Sequence, residues 1–346
     1  EGTIEAGTMK KPGYLRIKAT ITHEGKKYST TSTVGFSPEK LQPTVKLPKD
    51  FMEFWNGNLE KLRKVDLKPT MELLPDRCTE DVNVYHISYR NIGGTRMYGI
   101  LTMPAKEGKY PAILRFPGAG VGEKGGDITH AAQGAIILEM GIHGIAVNLP
   151  GEVYSDLGNG ILNDYPSINL GNKDTYYYRG AFADAVRAVD FICSLPQTDL
   201  TRVFANGESQ GGALTLVAAS LDHRIRAIAP SAPFLNDYKD YFALAHWPAE
   251  PILKAAKEKG ISDEDLYRTL SYFDVKIFTD RIQCPVIMAI GLQDVTCPPH
   301  TNFAGYNHIR TEKSWICYPL AGHNVWEQKG WPQAKQQFLD TYIIKK

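Results

Sequence analysis

The sequence is poor in the features that assign a chain quickly. Its five cysteines, Cys78, Cys193, Cys284, Cys297 and Cys317, are odd in number and widely spaced. That excludes a disulfide framework or a cysteine zinc site as the organising principle, and most should be small buried apolar residues. No apolar run approaches the roughly 20 residues a membrane-spanning helix needs. Neither sign of charge prevails: 39 Lys and Arg stand against 38 Asp and Glu, so no strong field selects nucleic acid or an anionic membrane surface. No repeat, low-complexity tract or metal-ligand spacing is visible, and no metal or other cofactor is expected. Glu1 to Lys10 lacks the basic start and apolar stretch of a signal peptide, and there is no initiator Met. The expectation is a mature or recombinant chain, with a removed leader left open.

What is present is an ordinary globular composition, 43% hydrophobic and 22% charged over 346 residues. Residues 1–46 stand apart. Tyr14 to Thr22 and Lys27 to Gly35 are β-prone and flank the turn His23-Glu-Gly-Lys26, a hairpin signature. An isolated hairpin is marginal, so it either packs on the main domain or is the remainder of a larger β-sandwich; the second reading is favoured. After a linker, Pro43 to Pro48, Asp50 is placed to cap a helix carrying Phe51, Phe54, Trp55, Leu59 and Leu62.

From about Asp81 the pattern becomes strand, strand, then strand and helix in alternation. Strands are expected at Val82 to Tyr89, Arg96 to Met103, Pro111 to Phe116, Gly144 to Leu149, Val203 to Ala205, Ile225 to Ala229, Pro285 to Gly291 and Ser314 to Tyr318. Helices are expected at Thr129 to Met140, Tyr176 to Ser194, Gln210 to Ser220, Pro299 to Ile309 and Trp331 to Ile344. This is an α/β chain with a mostly parallel central sheet covered on both faces. Gly151 to Thr175 and Pro233 to Ile277 break the rhythm and are expected to form lids or pocket walls above the sheet's C-terminal edge.

Gly207-Glu-Ser-Gln-Gly211 fits the G-x-S-x-G elbow, and its context is the required one: strand before, small-residue helix after. Ser209 is the candidate nucleophile. A serine hydroxyl needs a base to take its proton. In this arrangement acid and base follow the serine, each on a loop after a later strand. Asp294, just beyond Pro285 to Gly291, is the candidate acid, with Asp237 as the fallback; Asp274 and Asp280 precede that strand. His323, in Ala321-Gly-His-Asn324 beyond the last strand, is the candidate base, whereas His300 and His308 fall within a helix. Oxyanion donors are expected from the N–H of Gln210 and of Ala119, with Gly118 the neighbouring alternative. The glycines around Ala119 are also compatible with a plain tight turn.

Several segments resemble the acetyl xylan esterases that also act as cephalosporin C deacetylases. They are Pro48-Lys-Asp-Phe-Met-Glu-Phe-Trp55, Tyr89-Arg-Asn-Ile-Gly-Gly-Thr-Arg-Met-Tyr-Gly99, Gly207-Glu-Ser-Gln-Gly-Gly212 and the run from Gly291 to Asn307 with Asp294 at the acid position. The resemblance extends from about Leu47 to the C-terminus. It implies an α/β-hydrolase fold for residues 47–346, a serine carboxylesterase acting on acetylated xylan or xylo-oligosaccharides, a homo-oligomer unless the extra N-terminal segment blocks that assembly, and an extracellular or periplasmic location. Three motifs depart from the family: Pro117-Gly-Ala119 for H-G-Y, Pro150-Gly-Glu152 for R-G-Q and His323-Asn324 for H-E. The first removes an aromatic from the acyl pocket. Residues 1–46 resemble the end of an immunoglobulin-like accessory domain. Pro117, Gly118, Glu152, Tyr154 and Trp247 are the candidate substrate pocket. Tyr154, Trp247, Tyr165 and Tyr272 could stack on sugar rings or simply pack. The rival readings are a peptidase of the same fold and a catalytically decayed carbohydrate-binding protein.

Overall fold

The two kinds of strand in this chain build two separate sheets. β1 (Gly13–His23) and β2 (Lys26–Phe36) are largely polar and exposed, and pair antiparallel in a two-stranded sheet of their own. Glu24 and Gly25 turn the chain between them, both at positive φ, as a two-residue hairpin loop requires. The near end of this hairpin packs on the main body: the Tyr14 ring meets Phe303 at 6.0 Å between centroids. This computed structural model describes residue 3 and residues 5–344.

Helix α1 (Phe51–Arg63) buries Phe51, Trp55, Leu59 and Leu62 along one face. Asp50 occupies its N-cap position, but its side chain does not cap the helix. The carboxylate instead bonds Lys173 Nζ at 2.8 Å and the Tyr272 hydroxyl. The two long excursions of the chain are thereby clamped to the start of α1.

The second sheet has nine strands. β3 (Thr70–Leu73), β4 (Val82–Arg90) and β5 (Arg96–Pro104) form an antiparallel wing. β6 (Tyr110–Phe116), β7 (Ile136–Met140), β8 (Thr198–Glu208), β9 (Ala227–Ser231), β10 (Val286–Gly291) and β11 (Lys313–Tyr318) run parallel. The order is β11-β10-β9-β8-β6-β7-β5-β4-β3. β9 and β10 are buried at every residue, as parallel strands covered on both faces must be.

One expected helix and one expected strand are not found. Thr129 to Met140 divides into a short helix, α2 (Ile128–Ala132), and strand β7. Gly134, at φ 91°, ends the helical turn, and Ile136, Ile137 and Leu138 then enter the core as a strand. Gly144 to Leu149 is irregular loop instead of strand. The place beside β6 is already taken by β7. The remaining helices are α3 (Gly151–Asn159), α4 (Tyr177–Ser194), α5 (Gln210–Leu221), α6 (Tyr238–Leu244), α7 (Ala249–Glu258), α8 (Asp263–Leu270), α9 (Val275–Thr279), α10 (Pro299–Tyr306) and α11 (Trp331–Leu339). A single π turn, Asp340–Ile344, continues the last of these. All five cysteines are unpaired thiols.

A polar cluster ties α2 to the sheet. Asp127 caps α2 through the His130 N–H at 2.9 Å, and its other oxygen meets His130 Nδ1 at 2.7 Å and the Arg115 guanidinium. Arg115 also faces Glu139 across β6 and β7 at 3.3 Å. Burial raises the Asp127 carboxyl, but the hydrogen bonds from His130 and the Arg115 charge outweigh it and bring the group down to about 2. A depressed carboxylate contributes stability above its ordinary range and loses it as pH falls through the depressed value. Asp127→Asn is therefore expected to cost about 2 kcal/mol at pH 7 in urea denaturation. The difference from the parent should shrink below about pH 3; a difference independent of pH would contradict the ionic origin.

Candidate active site

The β8–α5 turn is shaped by backbone crowding. Ser209 has φ 55° and ψ −118°, a strained conformation for a residue with a Cβ. A Cβ on Gly207 would lie 2.5 Å from the Gly211 main chain, one on Gly211 would collide with the Phe116 carbonyl, and one on Gly212 would meet Ser231 O at 2.9 Å. Glycine at these positions lets β8 and α5 approach β6 and β9 closely enough to force the turn. Ser209 is then pinned at both ends: its N–H donates to Ser231 O at 2.9 Å, and its carbonyl accepts from Ala213 and Phe234 at 3.1 Å each.

Asp294 is fully buried on the loop after β10. Oδ1 accepts the N–H groups of Thr296 and Cys297, both at 2.8 Å, and Oδ2 meets His323 Nδ1 at 2.8 Å. Since a carboxylate only accepts, Nδ1 carries the proton and Nε2 is left as a base. Trp326 stands edge-on to the His323 ring at 5.2 Å. Ser209 Oγ lies 4.0 Å from Cys297 Sγ and makes no hydrogen bond to His323 among the described residues. Such links are commonly loose before substrate binds. The ligand-type atoms of Asp294, Cys297 and His323 all fall within 4.8 Å of one another, a set that could hold a metal ion. Both Asp294 oxygens are already hydrogen-bonded, however, and burial pushes the Cys297 thiol well up, so neither is a ready ligand.

The alternatives for these roles lie elsewhere. Asp237 holds Thr44 and Val45. Asp274 accepts the N–H groups of Asp237, Tyr238 and Lys276. His300 meets Asp240, and His308 meets Asp280.

Gln210 opens α5, where first-turn N–H groups have no partner within the helix. Its buried side chain donates from Nε2 to Gly118 O at 3.2 Å. Its Oε1 accepts the hydroxyls of Tyr165 at 2.6 Å and Tyr178 at 2.9 Å. Burial pushes the Tyr165 phenol up to about 12, so it remains a donor. His143 supports the same loop. Burial lowers its pKa; Nε2 donates to Gly120 O at 3.0 Å, and Nδ1 accepts the Tyr177 hydroxyl at 2.8 Å. The loop carrying Pro117, Gly118 and Ala119 is thus held beside the elbow by side chains from α4, α5 and the first excursion. Tyr165 is a hydrogen-bonding prop, a role that sugar stacking does not describe. Tyr178, His143 and Cys297 were not indicated by the sequence. The one available signal was that a buried Gln at the elbow needs donors for its carbonyl.

Of the candidate pocket residues, Pro117 and Tyr154 line one cavity and Pro117 and Gly118 an adjoining one, while Glu152 and Trp247 line neither. Tyr154 is buried, with its hydroxyl between Ala146 O and Leu149 N. Glu152 is exposed on the first turn of α3, and no hydrogen bond joins it to the triad loops among the described residues. Tyr272 is bound to Asp50. Trp247 is half-buried and stacks on Phe234 at 5.8 Å, the residue whose N–H donates to Ser209 O, so it reaches the elbow through one intervening residue. Gln210→Ala should leave two buried tyrosine hydroxyls without an acceptor and free the Gly118 carbonyl. The expected cost is roughly 2–4 kcal/mol in denaturant unfolding; a change under about 0.5 kcal/mol would contradict the network.

The family model for acetyl xylan esterase (AXE1) matches residues 38–340. Acetyl esterase Axe7A of Xylanibacter ruminicola is 35% identical over 350 aligned positions, which cover 99% of this chain and 76% of Axe7A. Acetyl Xylan Esterase 1 from Thermoanaerobacterium sp. JW/SL YS485 superposes with a TM-score of 0.78 at 29% identity, covering 87% of this chain and 96% of that one. The acetyl xylan esterase from Paenibacillus sp. R4 gives the same TM-score at 27% identity, with 88% and 98% covered. The chain therefore belongs to the acetyl xylan esterase (AXE1) family and is a carboxylic ester hydrolase of the α/β-hydrolase fold.

Proposed function

We propose that the protein removes acetyl groups from acetylated xylan or xylo-oligosaccharides by a two-step acyl-enzyme route. The observation that carries the mechanism is the Asp294–His323 contact at 2.8 Å, with the other Asp294 oxygen fixed by two N–H groups. That pair sets the imidazole tautomer and stabilises the imidazolium once it forms. His323 Nε2 takes the proton of Ser209 as Oγ attacks the acetyl carbonyl carbon. The oxyanion is received by the N–H groups of Gln210 and Ala119, each worth roughly 3 kcal/mol of barrier. The tetrahedral intermediate expels the sugar alkoxide, which leaves with the proton held by His323. A water then enters, gives a proton to His323 and attacks the acetyl-serine, releasing acetate and restoring Ser209.

Triad geometry does not choose between esters and amides; membership of an esterase family favours the ester over the peptidase reading. The ordered Asp294–His323 pair beside a strained serine argues against a decayed binding protein. In this proposal residues 47–346 form the catalytic domain, and residues 1–46 are a β-rich accessory segment. Polymeric xylan lies outside the cell, which supports an extracellular or periplasmic location. No helix among the described residues is long and apolar enough to cross a membrane.

The test is hydrolysis of p-nitrophenyl acetate, butyrate and octanoate. The acetate should be cleaved fastest, and Ser209→Ala and Asp294→Asn should each lose about 10⁴-fold or more in kcat. Octanoate turnover equal to acetate would show that Ala119, in place of the family's aromatic, has opened the pocket and would overturn acetyl selectivity. Full activity in Ser209→Ala would overturn the site.

A further inference from the structure

The family model begins at residue 38, so the β1–β2 hairpin lies wholly outside it. The near end of the hairpin nevertheless reaches the loop that carries Asp294. Arg16 on β1 stands opposite Thr33 on β2. Arg16 Nε donates to Thr33 Oγ1 at 3.1 Å, and Nη2 donates to Leu292 O at 3.1 Å and to Asp294 O at 2.9 Å. No other hydrogen bond takes either carbonyl among the described residues. Thr33 is the buried residue of a largely exposed strand, and its hydroxyl donates to Gln293 Oε1 at 3.0 Å. Gln293 continues the chain of bonds: its Nε2 donates to Pro319 O at 2.8 Å and its N–H to Ala321 O at 2.9 Å. Pro319 to Ala321 is the segment that leads from β11 to His323.

We propose that Arg16 is a positioning residue for the esterase reaction, acting through Asp294. The proposal rests on the reading of Asp294 as the catalytic acid. Two carbonyls, two residues apart, converge on one guanidinium nitrogen. That fixes the peptide plane before Gln293 and the one after Asp294, and with them the stretch of main chain from which the Asp294 side chain leaves. The loop's own short bonds, from Thr296 and Cys297, fall on the Asp294 carboxylate; its main-chain N–H makes a long bond, 3.4 Å to Gly291 O, and its carbonyl is held by Arg16. The Gln293 bonds carry the same constraint to the approach of His323. A planar guanidinium can hold Thr33 and the two carbonyls at once, whereas an ammonium on a longer stem cannot reproduce the fork.

The test is steady-state hydrolysis of p-nitrophenyl acetate by Arg16→Met, Arg16→Lys and Thr33→Val, with Arg16→Met repeated in an Asp294→Asn background. The expected result is a three- to tenfold fall in kcat for Arg16→Met, with KM changed less than twofold. Arg16→Lys should recover part of the loss, and Thr33→Val should show a smaller loss in the same direction without removing the charge. In the Asp294→Asn background, Arg16→Met should change kcat by less than twofold, because the group it positions is no longer functional. An unchanged kcat in Arg16→Met, a loss confined to KM, or the same loss in both backgrounds would overturn the proposal. Full activity in Asp294→Asn alone would instead refute the reading of Asp294, and this inference with it.

Discussion

At the elbow three pieces of main chain meet where no side chain fits. The Gly211 Cα faces the Phe116 carbonyl, Gly207 faces Gly211, and Gly212 faces the Ser231 carbonyl. The approach fixes the registers Phe116 with Gly207 and Glu208 with Ser231 in adjacent parallel pairs. With those registers set, the chain between Glu208 and Gln210 has too little length for an ordinary turn, and Ser209 takes up the strain at φ 55°. The loops after β6, β10 and β11 then emerge on the same edge of the sheet, where ligands of open α/β sheets bind.

Loops rich in glycine have few side chains of their own with which to pack, and here they are held by bonds to their carbonyls. Gln210 holds Gly118, His143 holds Gly120, and Arg16 holds Leu292 and Asp294. That support falls on main-chain acceptors, which any side chain leaves in place, so it does not depend on which residues stand at 117 and 119. The proposed acyl pocket, by contrast, depends on side chains, and there the identity of residue 119 bears on selectivity. The stack of Trp247 on Phe234 is one aromatic surface tied to the elbow, beside the Tyr165 and Tyr178 hydroxyls on Gln210.

In the candidate site, the positions that follow a strand directly were legible in the sequence. Ser209, Asp294 and His323 each stand a few residues beyond a β-rich run, and their order along the chain matches the loops on which the structure places them. The first half of the parallel sheet was less legible. Ala131 to Met140 is mostly small or apolar, interrupted by Gln133 and Glu139, so helix and strand periodicities both fit, and the decisive residue was Gly134 with its positive φ. Val147 is buried in a loop, so burial alone gave Gly144 to Leu149 the look of a strand. Asp50 had the right spacing for a cap, but Lys173 and Tyr272, more than 120 residues away, claim its carboxylate. Arg16 was invisible for the same reason: its partners lie 276 and 278 residues along the chain. Local pattern marks where a loop begins, and only the packed fold shows what holds it.

The central claim is that Ser209 is a nucleophile activated by the Asp294–His323 pair. Covalent labelling with a fluorophosphonate, followed by peptide mapping with mass spectrometry, tests it most directly. The account requires one adduct, on Ser209, formed far more slowly when His323 is replaced by Ala. An adduct on another residue, or labelling of Ser209 at an unchanged rate in His323→Ala, would contradict it.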